Sequence, residues 1–418
     1  MEITQKDRDI LRQLGEKVAK IAALPIHQEK IKMWKLVNSL KKTKPMLWIN
    51  EEPWHELNVN DELTLKTSND FCREVENRLR MIIYSWEHMK VDMIVEPVVY
   101  SPVVYNNTGF GISEDVEIVK TDEKSGVVSR HFHRQIENEE DIEKIKMPVV
   151  TLDPAVTERN FQLMKDIFSG ILNVEKQGVR MIWFAPWDEL IRWWGVQDAM
   201  LDLVLRPELV HKAMDRLVTA YLHMLDQLEK LDLLCLNNGN YRIGSGALGY
   251  IDELPQKDYN SSHVRTKDTW GCATAQIFSE VSPAMHEEFA LNYEIRWMKR
   301  FGLNYYGCCE PLHNKMEILK KVPNLRKISM SRWIDLDKAV KLMGDKYVFS
   351  YKPNPSIFAG DSFNLEAGKQ ELVNMLNKTG DAGCKVEIIM KDISTVSYKP
   401  QRLWEWAKMA EEVTAKYS

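Results

Sequence analysis

No stretch of 18 uncharged apolar residues occurs in this 418-residue chain, which excludes a helix that crosses a membrane. Concentrated basic charge is missing too. The net charge is -5 and no lysine-arginine block exceeds a few residues, so the basic face that nucleic-acid binding requires is absent. Cysteine is sparse: six in a long chain read as reduced thiols, not a disulfide frame. The opening residues, Met1 to Arg8, lack the basic start and apolar core of a signal peptide. There is no internal repeat and no low-complexity segment. These absences set the expectation of a soluble, cytoplasmic protein with no nucleic-acid or membrane partner.

What is present suits a large core: 44% hydrophobic and 28% charged residues. The length allows two or three average domains, or one α/β barrel. Thirteen tryptophans and twenty methionines are more than usual, enough to build core and still line a pocket for a flat or apolar ligand.

Hydrophobic spacing predicts helices over the first 45 residues, with Ile10, Leu11, Leu14, Val18 and Ile21, then Ile31, Trp34, Val37 and Leu40, on single faces. Pro45 and Pro53 bracket a connector, and a third helix runs from about Asp70 to His88. From Met93 onward strand and helix alternate. Strand-like runs start at Met93, Arg180, Leu231, Cys272, Asn304, Leu325, Tyr347 and Lys385, separated by amphipathic stretches such as 160–177, 207–230 and 283–300. Eight such units predict parallel strands in a (β/α)8 TIM barrel over residues 70–418, after an N-terminal helical extension over 1–69. Ser282-Pro283 is a helix start, and Gly302 a helix stop just before the Asn304 strand. A β-hairpin insertion is expected at about 112–136, after the first strand, around a Lys124-Ser125-Gly126 turn. His131 and His133 share one face of it; without a third ligand nearby they read as a solvated hairpin. The glycines of 244–249 match a phosphate fingerprint only superficially, because no strand-to-helix turn carries them.

The densest chemistry is Cys308-Cys309-Glu310-Pro311-Leu312-His313, directly after a predicted strand. Thiolate, carboxylate and imidazole are zinc-ligand types, and the C-terminal end of a barrel strand is where such a fold keeps its active site. Adjacent strand residues point to opposite sides, so one cysteine is expected to face inward. Against this, cysteines are good core fillers, Glu310 suits a helix cap, and His313 reads as a first-turn helix residue.

Several motifs together resemble the uroporphyrinogen decarboxylase superfamily, across roughly residues 70 to 415. They are Trp183-Phe184-Ala185-Pro186-Trp187, Gln276 to Pro283 with Ser279 and Glu280, the Cys308-Cys309 turn, Gly344-Asp345-Lys346, and Met390-Lys391-Asp392 through Thr395. The resemblance implies the (β/α)8 barrel. The decarboxylases of that superfamily carry an arginine-rich motif for porphyrinogen carboxylates; here the corresponding stretch, Trp48 to Trp54, has no arginine. The resemblance therefore points to the corrinoid-dependent methyltransferases, which use zinc to activate a thiol or ether and exchange its methyl group with the cobalt of a partner protein. Members acting on coenzyme M resemble one another in a His-x-Cys and a late cysteine. This chain departs from them: Tyr306 or Gly307 falls where the histidine would, and Cys384 precedes the last strand while Asp392 follows it. That departure implies a mixed oxygen and sulfur site, as for aromatic methyl ethers.

The candidate metal ligands are accordingly Cys308, Cys309, Glu310 and Asp392, and the candidate catalytic groups Asp392, Glu96 and Glu280. Trp183, Trp187, Gln276, Asn237, Asn238 and Lys352 are candidates for binding substrate, Lys352 as an anion contact. The expected cofactors are Zn2+ and a cobalamin carried by a corrinoid protein; the other partner is a small methyl donor or acceptor, with a homodimer open. The rival readings are a metal-independent decarboxylase or lyase using Asp392 or Glu96, and a non-catalytic binding barrel.

Overall fold

The computed structural model describes residues 3–120 and 128–417. Its strands, in chain order, are β1 (Met46–Ile49), β2 (Val98–Pro102), β3 (Tyr105–Asn107), β4 (Val116–Val119), β5 (Ser129–Phe132) and β6 (Val150–Leu152). They continue as β7 (Asn173–Gln177), β8 (Trp270–Ala273), β9 (Leu303–Tyr306), β10 (Leu325–Met330), β11 (Val348–Tyr351) and β12 (Lys385–Met390). Six of them form one parallel sheet in the order β1-β12-β11-β10-β9-β8. Every residue of β8, β9 and β11 is buried, as parallel strands covered on both faces must be. Long helices Pro207–Lys230, Leu365–Asp381 and Gln401–Thr414 supply much of the cover.

The sheet differs from the expected eight-stranded barrel at one side. Among the described residues no closed ladder is present. Five of the eight expected strands are in it, joined by β1, which lies in the stretch read as a connector between Pro45 and Pro53. The expected first strand at Met93 is absent from the sheet. Side chains take up its backbone groups instead: Trp34 Nε1 donates to the Asp92 carbonyl at 2.9 Å, Asn240 Nδ2 to that of Ile94 at 3.1 Å, and the Val95 N–H meets His27 Nδ1 at 3.3 Å. Asp92 in turn accepts the Leu47 N–H at 2.8 Å, so a carboxylate stands where a neighbouring strand would bond β1. The chain pairs only further on, as β2 beside β7 in a separate parallel pair.

The expected strands at Arg180 and Leu231 reduce to one parallel bridge, Val179 with Leu234. Asn237 replaces the rest of the ladder. Its buried amide donates to the Arg180 and Trp270 carbonyls at 2.8 and 2.9 Å and accepts the Trp270 N–H at 2.8 Å. A side-chain amide satisfies the same backbone groups a strand would.

The sheet's inner face is polar. Lys327 on β10 and Glu387 on β12 pair at 2.8 Å, both fully buried. Ser350 donates to Glu387 at 2.8 Å and stands 3.1 Å from the Tyr305 hydroxyl, which Ser245 meets at 3.1 Å. The glycine-rich 244–249 segment lies directly on this network. A Cβ at Gly246 would fall 2.6 Å from Glu387 Oε1 and from the Tyr305 ring, so glycine there permits close packing.

The hairpin strands β4 and β5 pair antiparallel, Val116 opposite Phe132 and Glu117 opposite His131; the Lys124–Gly126 turn lies outside the described residues. His133 stands 3.6 Å from Glu117.

Breaking the buried ion pair on one side leaves a charge without a partner. Lys327→Met is expected to cost about 3–5 kcal/mol in urea unfolding, and Lys327→Met with Glu387→Gln distinctly less. Equal losses for the single and double variants would show that the pairing is not what holds this layer.

Candidate active site

β9 ends at Tyr306, and Gly307, with φ of 97°, swings the chain out of the strand. Few residues but glycine adopt that conformation, and here a Cβ would also lie 2.5 Å from Leu312. The turn delivers two cysteines with opposite exposures: Cys308 is buried and Cys309 is exposed. Their sulfurs are 3.4 Å apart. Across β10 and β11, β12 ends at Met390 and is followed by Lys391 and Asp392. Asp392 holds a left-handed φ of 57°, a conformation tolerated by a short acidic side chain, and its Oδ2 accepts the Cys309 thiol at 3.3 Å. Cys308, Cys309 and Asp392 thus meet at the C-terminal rim of the sheet.

Lys391 ties them together. Its buried ammonium lies 3.4 Å from Cys308 Sγ, 3.2 Å from Asp392 Oδ2 and 3.4 Å from Glu51 Oε2. Glu51 follows β1, also at a left-handed φ, of 58°, and pairs with Arg242 at 2.8 Å. Burial opposes the charge on Lys391, but the two sulfurs, Asp392 and Glu51 outweigh it and raise the ammonium's pKa. Burial likewise works against Glu51, yet Lys391 and Arg242 hold its carboxyl down at about 2. The contact with Cys309, helped by Lys391 against burial, lowers the Cys308 thiol; the same contact and burial raise that of Cys309. The arrangement stabilises one thiolate, on Cys308, beside an ammonium.

A cavity of about 320 Å³ opens over this rim, bounded by Cys309, Lys391, Asp392, Lys352, Arg332 and Trp333. Lys352 is buried, and its ammonium donates to the Tyr305 hydroxyl and to the Ser350 carbonyl, the latter at 3.0 Å. Burial, with Lys391 adding to it, brings Lys352 down to about 7. Arg332 lies 3.9 Å over the Trp333 ring, which is largely exposed.

The other candidates are dispersed. Glu310 is fully buried and turned from the thiols: it accepts the Cys308 N–H at 2.8 Å and the Thr274 hydroxyl at 3.0 Å, which positions the turn. Glu96 accepts the hydroxyls of Tyr100 and Tyr250, both at 3.2 Å, beside the Met93 segment. Glu280 is exposed, outside the cavity. Gln276 donates to Asp188 at 2.7 Å. Trp183 is 41% exposed, whereas Trp187 is core, its indole N–H donating to the Phe289 carbonyl at 3.0 Å. Asn237 is the ladder substitute described above, and Asn238 donates to the Leu254 carbonyl at 2.6 Å. Glu51, Arg332 and Trp333 belong to the rim but stand out in no motif. Only their positions just after strands, once β1 is recognised, would have marked them.

Zinc bonds sulfur at about 2.3 Å and carboxylate oxygen at about 2.0–2.2 Å, so adjacent donors in a tetrahedral shell stand roughly 3.5–3.8 Å apart. The Cys308–Cys309 and Cys309–Asp392 separations approach this, and the donor chemistry fits the ion. The ammonium of Lys391 touches Cys308 and Asp392 on the same side, so uptake requires that side chain to withdraw. Among the described residues the trio of potential ligand atoms already gathered within 4.8 Å lies elsewhere, at Glu62, Glu87 and His88.

No family model and no curated protein matches the chain. Among solved structures it is similar to a methyltransferase from Methanosarcina mazei, with a TM-score of 0.52 and 9% identity over 93% of this chain and 99% of that one. At that identity the likeness shows a shared fold, compatible with a TIM-barrel-like arrangement. No helix among the described residues is long and apolar enough to cross a membrane.

Zinc titration of the purified chain separates ligands from positioning residues. Cys309→Ser should abolish stoichiometric uptake, while Glu310→Gln should retain it; Glu310→Ala should cost about 1–3 kcal/mol of stability through the orphaned Cys308 amide. Loss of uptake in Glu310→Gln would make Glu310 a ligand.

Proposed function

We propose that the chain is a methyltransferase that takes a methyl group from a small ether or thiol-type substrate and passes it to the cobalt of a corrinoid on a separate protein. The observation that carries this reading is the convergence of Cys308, Cys309, Lys391 and Asp392 on one rim beside an open cavity. The shared fold with a methyltransferase supports it, as does the resemblance of the motifs to the uroporphyrinogen decarboxylase superfamily.

The cavity wall narrows the substrate. Arg332, Lys352 and Lys391 surround it with positive charge, and the exposed Trp333 offers a flat apolar face. An aromatic methyl ether bearing an acidic group satisfies both, the acid on Arg332 and the ring on Trp333. Zinc held by Cys308, Cys309 and Asp392 would supply Lewis acidity at the leaving heteroatom. The chain's own groups do the rest. Heterolysis of the methyl–oxygen bond would leave its electron pair on the oxygen, with the partner's corrinoid supplying the methyl acceptor. Lys352, poised near neutrality by burial, hands a proton to that oxygen. Lys391 neutralises the anionic charge gathered at the rim.

The test is methyl transfer to cob(I)alamin from a panel of methoxybenzoates and thioethers, with zinc measured in the same preparation. Lys352→Met should lower kcat by about 10²-fold. Carbon dioxide released from a small acid without any corrinoid would replace this reading with the lyase. Full transfer in a chain that takes up less than about a tenth of an equivalent of zinc would remove the metal from it.

A further inference from the structure

A second cavity, of about 460 Å³, lies in the slot left where β1 has no laddered neighbour toward the Met93 segment. That volume suits a small molecule. Its walls are Trp48 and Trp54 with Met81, Met89 and Met93, and its polar end is Glu52. Trp54 is set edge-on against Tyr84, with centroids 5.9 Å apart, so its ring is held in place. The indole N–H of Trp48 is buried with no partner among the described residues.

No lysine, arginine or histidine lines the slot; its two ionisable residues are Glu51 and Glu52. The charge of Glu51 is matched from the other side by Lys391 and Arg242. Glu52 has no ion-pair partner among the described residues, and burial, with Glu51 adding to it, raises its carboxyl to about 7. An apolar chamber with aromatic walls and one unmatched acid is chemically incomplete. An anion would be repelled from it, and a neutral apolar ligand would leave the acid unpaired. A compact organic cation meets both demands, its charge against the indole faces and the carboxylate, its alkyl surface against the methionines.

We propose that this slot is a second ligand site, for small organic cations of the methylated-ammonium class. The site goes beyond the methyl-transfer reading and stands whether or not that reading does.

Isothermal titration of the whole chain with choline and with its uncharged isostere, 3,3-dimethylbutan-1-ol, tests it. Choline should bind once per chain, roughly tenfold or more tighter than the isostere. Glu52→Gln and Trp54→Leu should each weaken choline by about tenfold, with unchanged thermal unfolding as the control. Cys309→Ser should leave choline binding intact, which places the ligand in the slot and not over the thiols. Equal affinity for the two ligands, no binding of either, or choline binding lost in Cys309→Ser would overturn the proposal. Failure of methyl transfer with choline binding retained leaves this site standing.

Discussion

The rim depends on one buried cation. Lys391 is almost inaccessible to solvent, yet it touches a thiol and two carboxylates that come from three separate strand ends. An ammonium so placed would be costly without anions around it, and the anions would repel one another without it. The set is therefore mutually required. It also explains two backbone features: Glu51 and Asp392 both hold left-handed φ angles, which aim their carboxylates at the same ammonium. Conformations of that kind persist only where the surroundings over-determine them.

Beneath the rim, the inner face of the sheet repeats the same solution. Lys327 and Glu387, with Ser350, Tyr305 and Ser245, form a hydrogen-bonded layer under Lys352. The Tyr305 hydroxyl is the link, meeting Lys352 above and the serines below. A polar layer of this type fixes the positions of neighbouring strands more narrowly than aliphatic packing would, because each bond has a direction. The thiols and Asp392, with two strands between them, rely on that register.

Much of this was legible in the chain. Short apolar runs at Asn304, Leu325, Tyr347 and Lys385 are strands buried over most of their length, and the residues just after them had to stand at one end of the sheet. That logic joined Cys308, Cys309 and Asp392 across 83 residues. The Met93 run misled for a physical reason. Its Ile94 and Val95 are buried, as a strand's residues are, but its backbone bonds go to Trp34, His27 and Asn240, and no hydrophobic pattern reveals which partner a carbonyl will find. The four residues of β1 were too short for periodicity to register, and with them Glu51 was lost. Trp187 shows another limit: it was read in a turn after a strand, but it lies in the helix Pro186–Trp194 and is buried, and nothing local says whether an indole faces solvent or core.

The edge strand β1 borders the second cavity. Glu51 and Glu52 follow it in sequence, and the left-handed backbone at Glu51 turns the chain between them. Glu51 reaches Lys391 and Arg242 and is held ionised; Glu52 lines the slot without a cation, and burial pushes its carboxyl the other way. Two adjacent acids of the same type thus carry opposite shifts because Glu51 meets two cations directly and Glu52 has no ion-pair partner among the described residues. Had the ladder closed past β1, the second chamber would have been filled by a strand. The open edge, blunted by Asp92 on the Leu47 amide, leaves the second cavity beside β1.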